Sequence, residues 1–98
     1  MQLEWDEGKR RANLVKHKVD FAGLTSVFTD PHRVEVSDRR RDYGEPRVVI
    51  LCPAHGRLLH VTYTRRGSTR RIISARSANR RERRFYEQAA DHEGGRDP

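Results

Sequence analysis

At 98 residues, with 34% hydrophobic residues and a net charge of +7, the chain has room for one domain with a small core. Its longest apolar run, Val48 to Cys52, is far short of the roughly 20 residues that span a bilayer, and the acidic start Met1-Gln2-Leu3-Glu4-Trp5-Asp6 has no signal-peptide character, so a cytoplasmic protein without a membrane partner is expected. Cys52 is the only cysteine, which excludes an internal disulfide or a cysteine-built zinc site; the five histidines show neither HxH nor HExxH spacing, and no metal or other cofactor is expected.

In chain order, Leu3 to Trp5 is a short strand candidate. Asp6 then caps a helix running to about Lys18, with Ala12, Val15 and Val19 at helical apolar spacing and Lys9, Asn13, Lys16 and His17 on the adjoining polar face. Asp20 is a second N-cap, and Phe21, Leu24, Val27 and Phe28 form the buried stripe of a second helix that must stop before Pro31. His32 to Ser37 alternates as a strand does, and Asp38 to Pro46 is a polar loop. Arg47 to Pro53, Leu58 to Arg65 and Thr69 to Ser77 are three strands joined by short glycine-containing connections, the mark of antiparallel hairpins. Asn79 and Glu82 have the spacing of a capping box that opens a last helix, with Phe85, Tyr86 and Ala89 on its packing side, and residues 91–98 read as a flexible tail. The fold class is α+β: a small antiparallel sheet with two N-terminal helices and a C-terminal helix.

The basic charge is local. Arg65 to Arg84 holds nine arginines and one acid, Glu82, for a net +8, so the rest of the chain sums to −1. Arginine is chosen over lysine nine to none there, and its planar fork, which clamps phosphate bidentately and stacks on bases, points to a nucleic-acid partner rather than to a solvated face.

Two blocks of residues resemble a family. Trp5-Asp6-Glu7-Gly8-Lys9, Asn13, Lys16-His17 and Val19-Asp20-Phe21 are similar to the N-terminal signature of the BrnT toxins. Downstream, Tyr63-Thr64-Arg65-Arg66-Gly67, Arg71-Ile72-Ile73-Ser74-Ala75-Arg76 and Arg80-Arg81-Glu82-Arg83-Arg84-Phe85-Tyr86 resemble further blocks of that family, in order. The resemblance implies one BrnT-like toxin domain over residues 1–90 with a RelE-like fold, its helices on one face of the sheet and RNA on the other. It implies the toxin of a type II toxin–antitoxin system, a metal-independent and ribosome-independent endoribonuclease that arrests growth. A ribbon-helix-helix, BrnA-like antitoxin would neutralise it in a 2:2 complex that binds operator DNA through the antitoxin. The charge alone would equally suit a nonenzymatic nucleic-acid-binding module, and a degenerate toxin kept as a corepressor is a third reading.

Metal-free RNA cleavage uses the adjacent 2′-hydroxyl as nucleophile and needs a base, an acid, and positive donors for the charge on the phosphorane. His17 is the candidate base or acid, with Lys16 and Lys9 expected to favour its neutral form; its alternative is a histidine stabilised by the helix C-terminus. Arg76 is a candidate phosphate clamp whose alternative is a salt bridge to a core-edge carboxylate. Arg65 and Arg66 are taken together as catalytic candidates, because the family's arginine before the glycine corresponds to Arg66 and the turn can re-aim both. Lys9, Lys16, Arg70 and Arg80 are candidates for RNA binding, while Arg80, Arg81, Arg83 and Arg84 suit either RNA or an acidic segment of the antitoxin. Glu82 could be a general base, but its capping role accounts for it and is preferred. Tyr63 could stack on a base or act as a weak acid; a core position is the commoner use of a tyrosine on an apolar strand face, and Trp5 is read as core.

Overall fold

The computed structural model describes residues 1–39 and 44–94, and the side chains as far as 90. Five strands form one sheet in the order β1-β5-β4-β3-β2, with β1 Gln2–Glu4, β2 Val34–Asp38, β3 Arg47–Ala54, β4 Arg57–Arg66 and β5 Thr69–Ser77. β2 to β5 are an antiparallel meander, as expected. β1 instead joins β5 in parallel, with Leu3 opposite Arg70, so the sheet is mixed and not purely antiparallel. The crossover through α1 (Glu7–His17) and the meander brings the chain back in the same direction.

The hairpins follow from their turn residues. His55 (φ 54°) and Gly56 (φ 77°) both take the left-handed conformation that a two-residue type I′ turn between β3 and β4 requires. A bulge in β5 sets Tyr63 opposite Ile72 and Thr62 opposite Ser74, leaving Ile73 as the extra residue. Ile72 and Ala75, three apart, therefore both reach the core, while Arg76 falls beside His60 on the other face.

α1 starts on Asp6, whose carboxylate accepts the Lys9 N–H at 2.9 Å, and ends on Lys18 in the left-handed conformation (φ 61°). The second N-terminal helix does not form. Residues 21–29 make two 3₁₀ turns, Phe21–Gly23 and Thr25–Thr29, with i→i−3 bonds from Gly23 to Asp20, Leu24 to Phe21 and Val27 to Leu24. Gly23 and the β-branched Thr25, Val27 and Thr29 are poor α-helix formers, and the apolar spacing 21-24-27 fits three residues per turn better than 3.6. The same residues are buried either way. Val19, Phe21, Leu24, Val27 and Phe28 pack on Ile50, Cys52, Leu59, Val61, Tyr63, Ile72 and Ala75, and the Phe28 and Tyr63 rings meet edge to face at 5.1 Å.

The face of α1 is also not the expected one. Val15 is 73% exposed, and the residue that enters the protein is Asn13. Its Nδ2 donates to Ala75 O (2.8 Å) and Val19 O (3.0 Å), and its Oδ1 accepts the Ala75 N–H (3.1 Å). Beyond residues 69–71 β1 no longer covers β5, and the Asn13 amide takes the place of a missing strand at that open edge. Trp5 is partly buried against the core and donates through its indole N–H to Glu7.

α2 (Arg80–Gly94) opens on the expected capping box: Asn79 N–H to Glu82 Oε1 at 2.9 Å and Glu82 N–H to Asn79 Oδ1 at 2.8 Å. The helix continues to Gly94, past the point where the tail was expected to begin, and the rest of that tail lies outside the described residues, as does 40–43 of the Asp38 to Pro46 loop. The Tyr86 hydroxyl donates to His32 O and ties α2 to the start of β2. Among the described residues no helix is long and apolar enough to cross a membrane.

Candidate nucleic-acid and catalytic site

The open edge of β5 is where the chemistry-bearing residues collect. Asn13 fixes α1 against Ala75, so His17, one turn later in α1, lies near Arg76, the next residue of β5. Arg57, the first residue of β4, donates to Lys18 O (2.7 Å), His17 O (3.3 Å) and Ser77 Oγ (3.0 Å). These are the carbonyls that a helix leaves unpaired at its C-terminus, and a guanidinium there also answers the helix dipole. Burial lowers the pKa of His17 below its usual 6.5, and the charges of Lys16, Arg76 and Arg57 push it further the same way. Lys16 acts as expected; Lys9, two turns earlier, is not among the charges that matter.

Arg76 is held from the other side. Its two terminal nitrogens each donate to one oxygen of Glu82, both at 2.9 Å, and His60 Nε2 stands 3.4 Å from Glu82 Oε2. His60 and Arg76 are register partners on β4 and β5, so Glu82 bridges a pair that the sheet has already aligned. With the Arg76 fork and the Asn79 N–H on it, the Glu82 carboxyl is held down to about 2. A carboxylate of that acidity is a poor proton acceptor near neutrality, and the cap and the ion pair account for it. Arg76 keeps 32% of its side chain exposed, so its charge reaches solvent while its fork is fixed.

The other candidates lie apart. Arg65 and Arg66 stand at the β4–β5 turn, five or more residues from His60, about 17 Å along the strand. Arg65 rests on the Tyr63 phenol, which helps to hold it charged, and Arg66 reaches Glu45 at 3.7 Å while remaining 54% exposed. Tyr63 is fully buried and donates to Glu35 Oε1 at 3.0 Å, and burial raises its pKa, so it is a core residue with a satisfied hydroxyl. Arg70 is half-buried opposite Arg65; Lys9 and Arg80 are exposed at the starts of their helices. Sequence reasoning missed Arg57, for which a strand's first residue gives no signal, and the placement of Asn13, for which a poor helix former in mid-helix was a usable one. Among the described residues no three His, Cys, Asp or Glu side chains gather as metal ligands would.

Residues 5–82 match the model of a family described as the ribonuclease toxin, BrnT, of type II toxin–antitoxin systems. The chain belongs to the BrnT family. Comparison with curated proteins gives no match. The BrnT span begins at Trp5 and ends at Glu82, so Asn13, His17, Arg57, His60 and Arg76 all fall within it. As a BrnT toxin of a type II system the protein is a ribonuclease and has an antitoxin for a partner.

Proposed function

We propose that the β5 edge is the cleavage centre of a metal-independent, ribosome-independent endoribonuclease acting on cytoplasmic RNA. The observation that carries the reading is the convergence of His17, Arg57 and Arg76 from three separate elements on one edge, with a histidine biased toward its neutral form. Neutral His17 takes the proton of the 2′-hydroxyl as that oxygen attacks phosphorus. The P–O5′ bond breaks, the leaving oxygen takes up a proton from water, and the products carry a 2′,3′-cyclic phosphate and a 5′-hydroxyl. Arg76, its fork fixed by Glu82, faces the charge that builds on the phosphorane, and Lys16 and Arg57 add to the field. Arg65, Arg66 and Arg70, at the far end of the ribbon, with Lys9 and Arg80, hold the RNA backbone and take no part in the chemistry.

The wider reading is a RelE-like toxin bound in a 2:2 complex by a ribbon-helix-helix antitoxin that carries the pair to operator DNA. Its support is the family and the 3₁₀ turns packed on one face of the sheet, although α2 lies over the other face, where the resemblance implied RNA alone. The test is incubation of the purified chain with single-stranded RNA in EDTA. Cleavage with cyclic phosphate ends is expected. Intact RNA in the presence of folded protein, or cleavage that EDTA abolishes, overturns the mechanism.

A further inference from the structure

The second face of the sheet, away from the main core, carries a groove that the cleavage reading leaves unused. Val36, Val49 and Leu51 form its floor, and Phe85 of α2, 46% exposed, forms one wall. Its volume is about 290 Å³. That is at the bottom of the range of roughly 300–1,000 Å³ for small-molecule sites, room for one or two apolar side chains. A floor of aliphatic side chains offers no donors or acceptors to read a base edge, which argues against a nucleotide. Arg39 and Arg81 stand at the rim with Arg84 one turn beyond Arg81, all three exposed, and among the described residues none of these arginines has an acidic partner.

We propose that this groove receives an acidic amphipathic segment of the antitoxin, its apolar side chains on Val36, Val49 and Phe85 and its carboxylates on Arg39, Arg81 and Arg84. The groove ends at His60 and Glu82, the pair that carries Arg76. A segment seated there therefore lies beside the cleavage centre and closes the RNA's approach to Arg76, so binding and neutralisation are one event. The charge fits: Arg39, Arg81 and Arg84 rim the groove against one acid, Asp38, the other lining acid, Glu82, being bonded to Arg76, and carboxylates compete for the same cations as phosphates. This rests on the ribonuclease reading only for its consequence, the loss of cleavage; the docking itself does not depend on it.

The probe is the purified cognate antitoxin, titrated onto the intact 98-residue chain. Phe85→Glu is expected to weaken binding by about thirtyfold or more while cleavage stays within about twofold, and Arg81→Glu to weaken it less and to flatten its salt dependence. Val15→Glu, on the exposed face of α1, should bind as wild type. Unchanged affinity of Phe85→Glu, or loss of affinity in Val15→Glu instead, overturns the proposal. Should Phe85→Glu misfold, Val36→Cys on the groove floor and Ser26→Cys on the opposite side supply a second measurement, since Cys52 is fully buried and its thiol is pushed up to about 12. The antitoxin should protect the thiol at 36 from maleimide and leave that at 26 reactive. Protection of 36 by single-stranded RNA and not by the antitoxin would make the groove an RNA site and end the proposal. A chain that binds antitoxin through the groove but cuts no RNA would defeat the ribonuclease mechanism alone.

Discussion

The two ends of the β4–β5 ribbon carry the same residue type to different ends. At the His60–Arg76 end each arginine is fixed by several partners: Arg76 by both oxygens of Glu82, Arg57 by two carbonyls and a hydroxyl. At the turn, Arg66 has one long contact to Glu45, and Arg71 reaches Glu4 at 3.4 Å from the edge of β1. A fixed fork can match one geometry of charge, whereas loosely held arginines supply a field that follows the RNA wherever it lies. The count of arginines, which dominates the sequence, does not by itself distinguish the two uses.

The largest effect that would break this comparison is at Asn13. Asn13→Leu strands the Ala75 N–H and C=O and the Val19 C=O in a site where Asn13 is only 8% exposed, and should cost on the order of 3–5 kcal/mol in a denaturant melt. A change under about 1 kcal/mol would mean that the amide does not hold α1 to β5. Next are Arg76→Ala and His17→Ala, each expected to slow RNA cleavage by about a hundredfold or more; His17→Ala should do so with little change in melting temperature, while Arg76→Ala also gives up the ion pair with Glu82 and should cost about 2 kcal/mol of stability. Wild-type activity should fall on acidification with a midpoint below that of a free imidazole, because burial and the charges of Lys16, Arg76 and Arg57 lower the pKa of His17. A rate that rises on acidification would assign His17 the opposite role.

Glu82→Gln keeps an oxygen for the Asn79 N–H but gives up the ion pair with Arg76, and should cost about 2 kcal/mol at pH 7, the side chains being 32% and 21% exposed. The folded pKa lies below the unfolded value, so this contribution is full above about pH 4.5 and is lost as the pH falls toward about 2. Wild type and variant should therefore converge in stability across that window, and parallel curves would show that the ion pair contributes nothing. The smallest effects are expected at the loose end. Arg66→Ala should lower cleavage by less than about threefold and reduce the salt slope of RNA binding by roughly 0.7. An Arg66→Ala as damaging as Arg76→Ala would erase the distinction between the two ends.

Much of the meander was legible because its signals are local: alternation in Arg47 to Ser77, glycine at the turns, and the Asn79–Glu82 capping spacing. The resemblance named the family, and the matched span agrees with it. What escaped depends on contacts far apart in sequence. Periodicity placed Asn13 on a polar face, yet it is buried, because its partner is a strand edge 62 residues away. Val15 looked like core by the same rule and points to solvent. The Asp20 cap and the stripe of Phe21, Leu24, Val27 and Phe28 predict one helix stopping before Pro31, whereas two 3₁₀ turns over 21–29 bury the same side chains at a different pitch. Arg65 and Arg66 were grouped with Arg76 by motif, and the length of β4 separates them.

The Asn13–Ala75 bond also orders events in time. β2 to β5 can zip as neighbours, each hairpin closing over a short loop, while α1 and β1 must wait for β5 before they can dock. During synthesis the N-terminal helix therefore leaves the ribosome long before the strand that receives it. His17 meets Arg76 only after the chain has been made past residue 76. A nascent toxin is expected to stay inert on the ribosome that makes it, and to acquire its activity in the same short interval in which its antitoxin can first recognise a completed fold.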